Sequence, residues 1–149
     1  MRAVVQRVKN ASVEVSGNII ASIDRGILLL LGVKAGDTEE DFSYIFRKVL
    51  NLRIFDDENG IMNKSILDLN LNLLVVSQFT LYGDGRKGNR PSYVQAAKSE
   101  EATYFYEKFI EEAKKENIKT EHGKFGADMD VKLINDGPVT ILLDSSKEF

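Results

Sequence analysis

Two short segments of this chain group side chains that could do chemistry. Ser77-Gln78-Phe79-Thr80-Leu81 places two hydroxyls, an amide and an aromatic ring at the exit of the apolar run Leu73–Val76. A hydroxyl attacks an ester effectively only when a general base lies close to it. Gln78 cannot accept a proton usefully, and the sequence names no other base. Three roles stand open for Thr80 and Ser77: acyl nucleophile, positioning of an ester and its attacking water, or hydrogen bonds that merely tie down a strand end. The missing base favours positioning. Backbone N–H groups of Ser77–Phe79 would then supply an oxyanion hole, a device often worth about 2.7–4 kcal/mol per donor. The second segment, Asn135-Asp136-Gly137-Pro138-Val139-Thr140, holds one of only two prolines. An Xaa-Pro bond costs only about 0.5–1 kcal/mol to hold in cis, so Gly137-Pro138 can aim backbone carbonyls in unusual directions. An isolated Gly-Pro pair is otherwise an ordinary hairpin turn.

Other chemistries find little support. His122 is the only histidine, expected in a turn beside Gly123, and no nucleophile-elbow motif accompanies it. There is no cysteine, so thiolate nucleophiles, thiolate metal sites and disulfides are excluded. One histidine, no cysteine and no paired-carboxylate motif leave only a weak oxygen-ligand site, so no metal is expected, and no nucleotide cofactor is expected since neither G-x-G-x-x-G nor a P-loop follows a strand. A net charge of −3 argues against a protein that coats nucleic acid by bulk electrostatics. Contact with one RNA end would need only local cations, for which Arg2, Arg7, Lys9, Arg86, Lys87 and Arg90 are candidates; otherwise these are solvated charges. No apolar run reaches the roughly 18 residues of a membrane span, and the chain enters a strand pattern at once, without a signal peptide. The expected location is the cytoplasm.

These segments need a scaffold, and 149 residues suit one domain, 1–149, with 43% apolar and 29% charged residues. Arg2–Lys9 and Ser12–Ser16 alternate as half-buried strands, and Ser16-Gly17-Asn18 turns the chain into an antiparallel Asn18–Ile23. Ile27–Val33 and Leu71–Phe79 are fully apolar strands. Asp37, with Glu40, reads as a helix cap ahead of the stripe Phe42, Ile45, Phe46, Val49, Leu50. Leu52–Phe55 is a short strand. Ser99 reads as the cap of a second helix with buried stripe Ala102, Phe105, Tyr106, Phe109, Ile110, Ala113. Strands near Asp128–Ile134 and Val139–Asp144 are expected to flank a Gly137-Pro138 hairpin. The order describes an α/β protein of mostly antiparallel strands with two inserted helices.

Ser77–Thr80 and Asn135–Thr140 resemble the paired signatures SQFT and N-x-GPVT of the D-aminoacyl-tRNA deacylases. The likeness extends to Met1–Val8, Gly88-Asn89-Arg90-Pro91-Ser92 and Phe125-Gly126-Ala127-Asp128-Met129, in order along nearly the whole chain. It implies a two-sheet, barrel-like core with helices on one side. It implies hydrolysis of the ester between a D-amino acid and the 3′ end of tRNA, in a homodimer, with no cofactor. Ser77, Gln78, Phe79 and Thr80 would form the catalytic segment. The resemblance implies a cis bond at Gly137-Pro138 whose carbonyls read the substrate amino group and reject L-amino acids, from the other subunit. Glycyl-tRNA should pass the same gate. Phe125 and Met129 either line a pocket for the terminal adenosine or belong to the core of the last sheet. Two other readings remain: a non-catalytic nucleic-acid-binding module, whose relatives carry a basic tail that does not follow Phe149 here, and a general esterase for D-amino acid esters.

Overall fold

The apolar strands of this protein are buried on both faces, and that fact organises the fold. A computed structural model describes all residues, Met1–Phe149. Eight strands and two helices follow in the order β1 (Arg2–Val15), β2 (Asn18–Ile23), β3 (Gly26–Gly32), α1 (Glu39–Asn51), β4 (Phe55–Asp56), β5 (Met62–Lys64), β6 (Asn72–Ser77), α2 (Ser99–Lys115), β7 (Thr120–His122) and β8 (Asp130–Asp144). One six-stranded sheet carries the order β2-β1-β3-β6-β7, with β8 on the remaining side of β1. β4 and β5 form a separate small ribbon.

The first half of β1 pairs with β3 and its second half with β2, so the sheet bends into two layers. Val8, Ala11, Val13, Ala21, Ile23, Leu28, Leu74 and Val76 fill the space inside this barrel-like bend. The alternate residues Ile27, Leu29, Leu31, Leu73 and Val75 point outward, onto Phe42, Ile45, Val49, Phe105, Phe109 and Ala113 of the helices. Odd and even positions of β3 and β6 thus serve different cores, which explains why neither strand alternates in polarity. The pairs β3–β6 and β6–β7 are parallel, each joined by a crossover that contains one helix. Their C-terminal ends open onto the same edge, where ligands collect in parallel sheets.

Several local expectations give way. β1 is one strand of 14 residues, without a break after Lys9. The first helix is capped by Thr38 in a box with Asp41, because Asp37 is occupied elsewhere: its Oδ1 accepts from the Met1 ammonium at 2.7 Å. Ser99 is the first helical residue of α2 and Lys98 holds the cap position without a side-chain bond. The strand expected at Leu52–Phe55 is displaced to Phe55–Asp56, where a partner exists. β6 ends at Ser77, and Phe79–Tyr82 coils into a 3-10 turn. His122 lies on β7, not in a turn. No hairpin forms at Gly137-Pro138: β8 is continuous over 15 residues, because both of its halves pair antiparallel with β1.

Candidate active site

Gly32, at the end of β3, lets the chain leaving β6 fold directly over it. A Cβ there would lie 2.9 Å from the Gln78 carbonyl oxygen and 3.2 Å from the Leu81 Cβ. The Gln78 N–H bonds the Leu31 carbonyl at 2.8 Å, the last rung before the chain turns into the 3-10 segment. The first N–H groups of that segment, on Phe79 and Thr80, have no carbonyl of the turn to bond. Ser77, Gln78 and Phe79 wall an apolar cleft of about 240 Å³, completed by Leu31, Val33, Ala97, Ser99, Ala102, Tyr106, Phe125 and Gly126. Tyr106 braces its floor: the hydroxyl lies 3.1 Å from the carbonyls of both Val75 and Gly123, and burial pushes its pKa up, so it stays a neutral donor. Phe125 packs on the same ring at 5.7 Å between centroids. The Thr80 hydroxyl is exposed and accepts from Gln78 Nε2, its only side-chain partner. No histidine, lysine or carboxylate bonds it.

Phe125 therefore joins the Ser77–Phe79 wall of the cleft. Met129 does not. It packs against the inner barrel cluster, and its sulfur would lie 2.6 Å from a Cβ on Gly123. No three His, Cys, Asp or Glu side chains gather to hold a metal ion.

The second segment is built as a protrusion. From Gln6 to Val8, β1 advances two residues while its partner register on β8 runs from Thr140 to Asn135, five. The surplus residues bulge outward and expose Gly137 and Pro138, whose peptide bond is cis. Asn135 clasps the bulge: its Oδ1 accepts the Val139 N–H at 3.0 Å, and its Nδ2 donates to Gln6 Oε1 at 2.8 Å and Thr140 Oγ1 at 3.0 Å. Arg7 supports it from below. Its Nε donates to the Asp136 carbonyl at 3.2 Å and its Nη1 to the Ile54 carbonyl at 2.6 Å. Nothing in the alternating strand pattern marks Gln6 and Arg7 as supports of this segment; the one signal is an arginine on the buried face of the strand, in line with Ala3 and Val5. Only 8% of Arg7 is exposed, so it is no RNA-facing cation. Arg2 is pinned by Asp144 and Glu148. Lys9, Lys87 and Arg90 remain exposed and outside any ion pair, whereas Arg86 pairs with Asp84.

The two segments are apart within one chain. Arg2 Nη1 reaches the Leu81 carbonyl at 3.0 Å, while Arg7 reaches Asp136. The arginines stand five positions apart on β1, a backbone span of about 17 Å at ~3.3 Å per residue.

The chain matches the family model described as D-Tyr-tRNA(Tyr) deacylase over residues 4–144. It is 59% identical to the D-aminoacyl-tRNA deacylase of Thermosipho africanus strain TCF52B over 149 residues, covering 100% of both chains. It is 58% identical to that of Clostridium botulinum strain Eklund 17B, again covering 100% of each. Among solved structures, a c-Myc DNA unwinding element binding protein superposes with TM-score 0.91 at 47% identity, covering 97% of this chain and 98% of that one. A probable eukaryotic D-amino acid tRNA deacylase shares the fold at TM-score 0.82 and 17% identity, covering 96% and 98%.

Proposed function

This chain belongs to the D-Tyr-tRNA(Tyr) deacylase family, and we propose from it an enzyme that hydrolyses the ester of D-aminoacyl-tRNA. Free D-amino acid and tRNA are released, a chirality proofreading step. One observation carries this reading: Ser77–Phe79, directly before Thr80, walls an apolar cleft in a chain that matches deacylases along its full length. The cleft takes the terminal adenosine, with Phe125 as a stacking face. The N–H groups of Phe79 and Thr80 hold the oxyanion that forms when the ester carbonyl is attacked. Water is the attacker, assisted by the ribose hydroxyl of the substrate, because Thr80 has no base.

Gly137-Pro138 supplies chirality, and the enzyme works as a homodimer in which this bulge enters the partner's cleft. That no residue of Asn135–Thr140 lines the cleft of its own chain supports that arrangement, as does the free edge of β8. An edge strand of 15 residues, paired on one side only and with Ile134 and Leu142 half exposed, invites a covering partner. L and D side chains leave the α-carbon in different directions, so a rigid backbone gate rejects one by steric conflict without touching the other. Glycine offers nothing to reject, and glycyl-tRNA passes. No helix is long and apolar enough to cross a membrane. We place the enzyme in the cytoplasm, with its tRNA substrate.

The test is deacylation of D-tyrosyl-tRNA against L-tyrosyl-tRNA by the purified protein. Rapid loss of the D ester with the L ester nearly untouched is expected; equal rates, or none, would overturn the reading. A non-catalytic nucleic-acid module is the second reading, favoured only by the name of the 47%-identical structure. Binding without hydrolysis would put it first. A free D-tyrosine ester cleaved as fast as the tRNA ester would make the protein a general esterase.

A further inference from the structure

Beside the cleft, Phe79 and Tyr93 stack edge to face with centroids 5.1 Å apart, and both rings stand in solvent, 56% and 40% exposed. Tyr93 is held in place on both sides. Asp84 and Ser92 exchange backbone bonds of 2.8 and 2.9 Å just before it, and Ala35 N–H bonds the Gln95 carbonyl at 3.0 Å just after it. The Asp84–Ser92 pair closes a loop whose charge has one sign. From Gly85 to Lys98 the chain carries Arg86, Lys87, Arg90 and Lys98 and no carboxylate, in a protein of net charge −3. Arg86 forks onto Asp84 at 2.9 and 2.7 Å and stiffens the loop base. Lys87 and Arg90 are exposed at its tip and make no ion pair.

Resting on the deacylase reading, we propose that Tyr93, with Phe79, stacks the nucleotide that precedes the terminal adenosine, and that Lys87 and Arg90 hold the phosphates behind it. The order along the surface is cleft, Phe79, Tyr93, cationic tip. The 3′ end of a tRNA presents the same order: terminal nucleoside, next base, backbone charge. Every base offers a π-face, so a ring platform grips a single strand without reading its sequence. A proofreading enzyme that must accept many tRNAs needs that tolerance. Ser92 to Gly88 is four residues, at most ~14 Å of chain, which keeps the cations near the stacked base.

The test compares kcat/KM on D-tyrosyl-tRNA with kcat/KM on D-tyrosyl-adenosine, which lacks the preceding nucleotide. Tyr93→Ala is expected to lose about tenfold or more on the tRNA relative to the adenosine ester, mainly in KM. Tyr93→Phe keeps the ring and should keep the rate. The double variant Lys87→Ala/Arg90→Ala should flatten the dependence of log kcat/KM on log salt by roughly 1.4, two phosphates at about 0.7 each. Equal losses on both substrates, no loss on either, or a changed oligomeric state in place of a KM effect would overturn the proposal alone. Wild-type protein inactive on both esters would remove the deacylase reading, and this proposal with it.

Discussion

Nε of Arg7 lies 3.2 Å from the carbonyl oxygen of Asp136, the residue directly before Gly137-Pro138. A buried guanidinium on the interior strand thus fixes an exposed bulge on its edge neighbour. The same group makes a 2.6 Å bond to the Ile54 carbonyl, so it also ties the bulge to the segment leading into β4.

Arg7→Met should therefore cost about 2–3 kcal/mol, since it removes two charge-assisted bonds and leaves carbonyls unpaired. That corresponds to a fall in Tm of about 5–10 °C for a chain of this size. Loss of selectivity should accompany it, with the ratio of D to L rates dropping more than the D rate itself. Calorimetry and paired deacylation assays check both. A stable, fully selective Arg7→Met would separate the bulge from chirality.

Gly137→Ala tests the bulge directly. Gly137 has φ +119°, and an added Cβ would lie 2.9 Å from Val139 Cγ2 and 3.1 Å from Arg7 Nη2. Strain of about 1–3 kcal/mol is expected from the backbone alone, with further displacement of Arg7. The D-aminoacyl-tRNA rate should fall by at least tenfold while the protein remains folded by circular dichroism.

Much of the scaffold was legible in the sequence because burial has a period. The helix stripes Phe42–Leu50 and Ala102–Ala113 face the core, and the uniform runs of β3 and β6 lie between two layers. Boundaries set by a competing partner were not legible. Asp37 has the composition of a cap, but the Met1 ammonium takes it, 36 residues away in sequence. Gly137-Pro138 has the composition of a turn, yet β1 holds both flanking halves, so the chain bulges and continues. The candidate site divides the same way. Ser77–Phe79 and Phe125 meet in one cleft, whereas Met129 follows the strand alternation into the inner barrel.

A shared site makes a prediction that no single variant can. Ser77→Phe should block the cleft of its own chain, and Gly137→Ala should spoil the bulge that enters the partner. Mixing the two impaired proteins and allowing subunits to exchange gives heterodimers with one site that is wild type in both segments. Activity should return toward a quarter of the wild-type level, half of the dimers having one of two sites intact. Absence of any recovery, with exchange verified by native mass spectrometry, would place both segments of a site in one chain.

The Asp57 carboxylate, in the turn between β4 and β5, accepts N–H bonds from Asn59 at 2.9 Å and Ile61 at 3.1 Å. Those bonds, to Ile61 first and Asn59 next, hold its pKa below the ordinary 3.8. A lowered pKa in the folded state means stability present above pH ~4 and lost as pH falls through the folded value. Asp57→Asn should lower Tm at neutral pH, and the gap to wild type should close as pH falls below the folded-state value. A gap independent of pH would assign the effect to turn geometry in place of charge.

Thr80 decides the chemistry, and its surroundings favour one outcome. Its hydroxyl accepts from Gln78 Nε2, which places a donor where a nucleophile would need a proton acceptor. No side chain nearby can raise its nucleophilicity, so a covalent aminoacyl-Thr80 would have to form from a neutral alcohol. Thr80→Ala should then retain measurable turnover, with a loss of about tenfold to a hundredfold from weaker positioning. A D-aminoacyl-tRNA ending in 2′-deoxyadenosine should be a much poorer substrate for the wild type, because the hydroxyl that assists the water is gone. A complete loss of turnover in Thr80→Ala, joined to an aminoacyl adduct on Thr80 by mass spectrometry, would make Thr80 the nucleophile. A deoxy substrate cleaved at the normal rate would leave unassisted water as the attacker, with the Phe79 and Thr80 N–H groups still holding the oxyanion.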